Sequence, residues 1–296
     1  MVVRLPDQDI RPRGKSIMIS LSIIKYETMN IINKFKNLGR AAKIRYATII
    51  LGIILFLPPL SLLPQFFGES RFCGTWCMRM YMNNPSSYMM FATFMGMTLA
   101  ALVFAVTFFF GRLWCGRLCP IGGTSEIASK LVPDKIKIDY SKIPAPAVRY
   151  GYFLVFLVAP AVGIGTLCCK LCNFSTVPQL FTAPFNAGSM AFFFTTTGML
   201  SASLFILLGV WSKGGRGYCN FMCPVGAVAS LVNGLGAKLG FRRYMIENAK
   251  CTGCGACSSA CPVWAISQDK DVVKISQFSC ISCGKCKDVC PKGAVK

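Results

Sequence analysis

The sequence contains no histidine. That removes bis-histidine haem, histidine-liganded zinc and copper, and every catalytic scheme that needs an imidazole. Charge is scarce too. Charged residues make up 15% of the chain, where soluble domains carry about a quarter, and only 11 residues are acidic. With 54% hydrophobic residues and a mean hydropathy of +0.53, the composition excludes an ordinary water-soluble enzyme and a disordered chain. What the 296 residues hold in excess is base, 32 Lys+Arg for a formal charge of +21, and cysteine, 17 in all.

Four stretches carry no charge and are long enough to cross a hydrocarbon core, which takes about 20 apolar residues. They run approximately from Tyr46 to Leu63, Tyr88 to Phe110, Tyr150 to Leu167 and Met190 to Trp211. They are apolar all round, as spanning helices are and the amphipathic helices of a soluble bundle are not. Of the 32 basic residues, 29 fall before Tyr46, in the 111–149 connection or after Trp211, and only Arg71, Arg79 and Lys170 fall in the other two connections. The positive-inside rule therefore predicts both termini in the cytoplasm of a prokaryotic cell, with the chain multi-pass in its inner membrane. The basic charge then reports topology and not nucleic-acid binding. Residues 1–43 form a basic segment in which Ile17, Leu21, Ile24, Ile31, Phe35 and Leu38 share one helical face, suited to lying on the inner leaflet. No cleavable leader is expected, because the first long apolar run begins only near residue 46.

The cysteines carry the sharpest pattern. Cys251, Cys254, Cys257 and Cys261 precede Pro262, and Cys280, Cys283, Cys286 and Cys290 precede Pro291. Each row has the C-x2-C-x2-C-x3-C-P spacing of bacterial two-cluster ferredoxins, in which the fourth cysteine of each row ligates the other cluster. This resemblance assigns Cys251, Cys254, Cys257 and Cys290 to one [4Fe–4S] cluster and Cys280, Cys283, Cys286 and Cys261 to a second. Val272 to Ile275 reads as a strand after a turn at residues 268–271, giving a small α+β module over residues 241–296. Zinc sites or disulfides are the competing readings of such cysteines, and the doubled pattern with both prolines speaks against them.

The other cysteines mark a repeat. Gly111-Arg112-Leu113-Trp114-Cys115-Gly116-Arg117-Leu118-Cys119-Pro120 aligns at an offset of 104 residues with Gly215-Arg216-Gly217-Tyr218-Cys219-Asn220-Phe221-Met222-Cys223-Pro224. Cys73 and Cys77 precede the second stretch, and Cys168 and Cys172 precede the fourth, each pair with three residues between. The membrane domain, 44–240, thus reads as two parallel repeats, about 44–132 and 148–236, each of two spans. A pseudo-two-fold axis along the membrane normal can gather Cys115, Cys119, Cys219 and Cys223 at the inner face and Cys73, Cys77, Cys168 and Cys172 at the outer face. The inner quartet suits an iron–sulfur cluster or another thiolate-bound metal. The outer quartet suits a cluster, a metal or disulfides.

Four spans, two inner C-x3-C-P motifs and a C-terminal double [4Fe–4S] module resemble the NapH-type membrane polyferredoxins, the quinol-dehydrogenase membrane subunits of periplasmic nitrate reductase systems. The resemblance covers roughly residues 44–296. It implies an iron–sulfur electron-transfer subunit that exchanges electrons with quinol and passes them to a protein partner within a membrane complex, with no haem. Quinol oxidation releases protons, and without histidine the candidate acceptors are Glu69, on the outer side, and Glu126, beside the first inner motif. Two other readings compete. One is copper reduction or metal handling for a partner metalloenzyme, for which Met78, Met80, Met82, Met89, Met90, Met95 and Met97 would be soft ligands if they are not lipid-facing filler. The other is a non-enzymatic redox sensor.

Overall fold

The computed structural model describes residues 40–66, 87–162, 171–241, 243–269 and 272–296. The segment from Ile17 to Leu38, Glu69, the cysteines Cys73, Cys77 and Cys168, and Met78, Met80 and Met82 lie outside the described residues.

The chain is mostly helical. Helix α1 covers Arg40–Phe66 and α2 covers Ser87–Phe110. Gly111 follows α2 with φ +86°, the left-handed turn that closes a helix most cheaply when no Cβ is present. The last carbonyls of α2 are also held from outside the helix, Thr107 O taking Gly111 N at 3.0 Å as well. The Arg243 guanidinium donates to three of them, those of Thr107, Phe108 and Phe109, at 3.2, 2.7 and 2.9 Å. A π-helical turn, Trp114–Leu118, leads to α3, Pro120–Leu131, and the chain then runs through α4, Ala145–Ala161. The second half continues with α5 (Asn173–Thr182), α6 (Ala187–Phe193) and α7 (Thr196–Leu204), which passes into a π-helical turn at Phe205–Val210. Next come α8 (Gly217–Phe221) and α9 (Pro224–Lys238). Leu57, Ile121, Val177 and Phe205 make the buried core between α1, α3, α5 and the second π-turn.

The fourth apolar run is not the single helix that the sequence predicts. It is broken into α6 and the Thr196–Val210 stretch, which meet at 76°. Each piece starts at its own N-cap, and the second of these caps, Thr195, sits at the break. Asn186 Oδ1 accepts from Gly188 N at 2.8 Å, and Thr195 Oγ1 accepts from Gly198 N at 3.1 Å. Gly198 sits so close to the Phe192 carbonyl that any Cβ would strike it. Among the described residues no single helix is long and apolar enough to cross a membrane, whereas this bent pair is, by length and composition.

Residues 243–296 form the α+β module. Strands β1 (Ile266–Asp269) and β2 (Val272–Ile275) pair antiparallel, with Ile266 opposite Ile275 and Asp269 opposite Val272. Short helices α10 (Ala256–Ala260) and α11 (Lys285–Asp288) each begin after a left-handed glycine, Gly255 and Gly284. The two ends of the module are tied by an Ile246–Val295 bridge, in which Glu247 N donates to Ala294 O at 2.8 Å.

Candidate iron–sulfur sites

The module contains two recesses, and each gathers four cysteines from both rows. The first, of about 390 Å³, is lined by Cys251, Cys254, Cys257 and Cys290. The second, of about 320 Å³, is lined by Cys261, Cys280, Cys283 and Cys286. The chain achieves this crossing by folding β1 and β2 between the rows, which carries the last cysteine of each beside the first three of the other. Gly253, Gly255 and Gly284 all take positive φ, which turns the backbone tightly around the recesses. The recesses differ in depth. Cys254 is exposed at the first, whereas Cys280 and Cys286 are buried at the second.

The inner C-x3-C-P motifs are built alike. Pro120 and Pro224 each occupy the first turn of a helix, where a missing N–H costs nothing, and Cys119 and Cys223 are the residues that cap those helices. A thiolate is favoured at the positive end of a helix. Cys223 Sγ accepts from Gly226 N at 3.3 Å. The four cysteines lie in mutual electrostatic range: Cys119 feels Cys219 and Cys115, and Cys223 feels Cys219, Cys115 and Cys119. Burial pushes the Cys119 thiol up to about 12 and the Cys223 thiol well above its ordinary value, with the neighbouring cysteines adding to both. Bare thiolates are therefore disfavoured there, and positive charge from a bound metal group is what would release their protons. Among the described residues no three Cys, Asp or Glu side chains close tightly enough to hold a single metal ion.

The second recess abuts the inner motifs directly. Cys115 packs against the buried cluster of Val263, Ala265, Cys280 and Ile281. A Cβ at Gly116 would run into the Ile281 carbonyl, one at Gly111 into Ser282 Oγ, and one at Gly214 would lie 2.5 Å from Pro262 Cα. Asn220 Nδ2 donates to Val263 O at 3.1 Å, and Arg149 Nη1 donates to Phe278 O at 2.6 Å. Both motifs thus grip the loops that carry the second recess.

Glu126 ties this junction together. Arg45 donates to its two oxygens at 2.9 and 2.7 Å, Arg216 Nε at 2.8 Å, Lys285 Nζ at 2.9 Å and the Tyr46 hydroxyl at 3.1 Å. Burial alone would push its carboxyl up, but Lys285, Arg216 and Arg45 outweigh that and hold it well below the usual carboxylate range. The expected role of Glu126 as a proton acceptor is therefore corrected: a carboxylate pinned by three cations stays ionised, and its place is that of a buried counter-ion. Arg45, Arg112, Arg149 and Arg216 are each at most 3% exposed, and with Lys285 they set five cations against the single acid. Thiolate-ligated iron–sulfur clusters carry net negative charge, so this cationic surplus fits clusters in the second recess and at the inner quartet.

Of the four cysteines expected at the outer face, Cys172 is the one among the described residues. It caps α5, and the next amide, Asn173 N, donates to the hydroxyl of Tyr218 in the second inner motif at 3.1 Å.

Comparison with known proteins agrees with this chemistry. A family model described as a 4Fe-4S binding domain matches residues 92–139 and again 195–242, and a 4Fe-4S dicluster domain matches residues 250–295. The chain is 28% identical over 170 residues to the ferredoxin-type protein NapH of Haemophilus influenzae, covering 57% of this chain and 53% of that protein. It is 29% identical over 170 residues to the methylamine utilization ferredoxin-type protein MauN of Methylobacillus flagellatus, covering 55% and 54%. It is also 26% identical over 199 residues to an uncharacterized protein of Methanocaldococcus jannaschii, covering 66% and 67%. The chain thus spans about half the length of the NapH and MauN relatives it matches. No solved structure matches. The repeated 4Fe-4S domains and these relatives support an iron–sulfur electron-transfer protein, similar to the ferredoxin-type proteins NapH and MauN.

Proposed function

We propose that the chain is a membrane-embedded relay that passes electrons singly between the quinone pool and a redox partner protein. Iron–sulfur clusters supply reversible one-electron transfer, which is what a two-electron carrier such as quinol needs if it is to feed a protein chain. In this reading Cys115, Cys119, Cys219 and Cys223 hold a cluster at the inner face. Cys261, Cys280, Cys283 and Cys286 hold the next, and Cys251, Cys254, Cys257 and Cys290 hold the last. The observation that carries the proposal is the packing of Cys115 against the buried cluster of Val263, Ala265, Cys280 and Ile281, which supports a direct path from the inner motifs to the second recess.

The bilayer belongs around α1, α2, α4 and the bent pair α6–α7. Ile50, Leu51, Ile54 and Leu55 on α1, and Leu154, Val155, Leu157 and Val158 on α4, are large apolar side chains exposed in rows. Surfaces of that kind are rare on soluble monomers and suit lipid. Both termini then lie on the cytoplasmic side, with the partner subunits of a larger complex supplying donor or acceptor.

The test is an iron count and redox titration of anaerobically purified protein in lipid nanodiscs. About twelve irons per chain are expected, four for each of three cubanes, with signals that reduce on addition of a menaquinol analogue. About eight irons would remove the inner cluster, and clusters indifferent to quinol and quinone would remove the quinone link.

A further inference from the structure

The two halves of the helical domain repeat one set of hydrogen bonds at the offset of 104 residues. Arg45 Nε donates to Gly116 O at 3.2 Å, and Arg149 Nε donates to Asn220 O at 2.7 Å. The Tyr46 hydroxyl donates to Glu126 at 3.1 Å, and the Tyr150 hydroxyl meets Ser230 Oγ at 2.8 Å. Each inner-motif arginine then crosses to the opposite half: Arg216 lies against Gly122, and Arg112 lies against Gly226. The pattern has one chemical break. Where the first half carries the carboxylate of Glu126, the second carries only the hydroxyl of Ser230.

The break falls on Arg112. Its equivalent, Arg216, has Glu126 at 2.8 Å. Arg112 is 1% exposed, and its Nε and Nη1 are buried with no hydrogen-bond partner. Among the described residues it makes no ion pair, and its charge is felt by Arg149, another cation, and by the thiols of Cys219 and Cys280. A buried guanidinium without an anion is costly, so the negative charge must come from something bound between Cys219 and Cys280. That place belongs to the inner quartet and its contact with the second recess. Reduction adds an electron to a cluster that is already anionic, and a fixed cation in a low-dielectric site favours the reduced form.

We propose that Arg112, freed of a counter-ion because Ser230 stands where the first repeat has Glu126, raises the reduction potential of the cluster held by Cys115, Cys119, Cys219 and Cys223. The inference rests on the reading of that quartet as a cluster site. Arg112 acts by charge at fixed protonation, as a positioning residue for the electron and not as a ligand. It makes the inner cluster the electron-accepting end with respect to quinol; Arg216 also reaches Cys119 and Cys219, but it shares the carboxylate of Glu126 with Arg45 and Lys285, whereas Arg112 has no such partner.

The experiment uses full-length protein, purified anaerobically, with iron content and redox-poised EPR as the readouts. In Arg112→Met the midpoint of the third signal should fall by a tenfold change in the oxidised-to-reduced ratio, which is about 59 mV for one electron, at unchanged iron content. Arg112→Lys, which keeps the charge, should restore the midpoint. Ser230→Asp gives Arg112 the missing anion and should lower the midpoint in the same direction, so a failure of Arg112→Met to load iron leaves the question decidable. A third signal whose midpoint is the same in the wild type, Arg112→Met and Ser230→Asp overturns the inference while leaving the cluster reading intact. About eight irons and no third signal in the wild type would overturn both.

Discussion

Glu126 is one carboxylate among three cations, and its worth follows from that ratio. Removing one partner of a buried charge network costs about 3–5 kcal/mol, because the remaining charges stay buried and unpaired. Glu126→Gln should lower the unfolding midpoint accordingly and loosen the module from the inner motifs, seen as faster amide exchange at residues 280–286. The sign of its pH dependence is fixed. The folded-state pKa lies below the unfolded value, so this stabilisation is fully present above the ordinary carboxylate range and is lost as pH falls through the folded pKa. Thermal melts of the wild type should therefore weaken at low pH along a limb that Glu126→Gln lacks. None of this was legible in the sequence. Arg45, Arg112, Arg149 and Arg216 count toward the positive-inside charge, yet all four are buried in protein. Charge placement along a chain identifies a side of the membrane, but it carries no information on which basic residues turn inward to meet an acid 81 or 90 residues away.

The elements show where periodicity reads well and where it fails. The doubled cysteine rows and the strand at Val272–Ile275 follow from local spacing, and the structure forms them as local features. The break at Thr195 escaped because the run Phe192–Phe194 keeps the apolar count high across a helix end, while the cap depends on a single hydroxyl. The contact of α5 with Tyr218 escaped for a related reason: a pair of cysteines beside a span says nothing about how α5 packs back against that tyrosine. The contact between the inner motif and the second recess depends on bare backbone. Gly116 leaves no room for a methyl group against Ile281 O, a backbone atom that cannot move aside alone. Gly116→Ala should thus separate the two sites without touching a cysteine. Iron content should persist, while quinol-driven reduction of the module clusters slows at least tenfold in stopped-flow absorbance. Unchanged rates would show that the contact does not carry the electrons.

At the scale of the molecule the two recesses of the module differ in access: Cys280 and Cys286 are buried at the second, and Cys254 is exposed at the first. Oxidants and partner proteins meet the first recess before the second. Brief exposure to air should bleach the cluster ligated by Cys251, Cys254, Cys257 and Cys290 ahead of its neighbour, followed as sequential loss of two EPR signals. Loss in the reverse order would mean that the second recess opens more readily than its burial allows. The double-cluster module was legible almost completely, because both rows carry their own ligands. Its seating on the helical domain was not, since that surface is assembled from glycines, carbonyls and arginines drawn from both halves.

The crossing of Arg112 onto Gly226 and of Arg216 onto Gly122 has a consequence for how the chain is made. Neither half can close its inner site alone, because each presents its arginine to the other's glycine, and two of the four inner cysteines belong to each half. During synthesis, the first half leaves the ribosome with a guanidinium and two thiols waiting for partners roughly a hundred residues downstream. Contacts so distant in sequence form late. The inner quartet is therefore assembled only after α9 has emerged, and the first recess waits in the same way for Cys290 to join Cys251, Cys254 and Cys257. The halves, separable as stretches of sequence, fold as one unit.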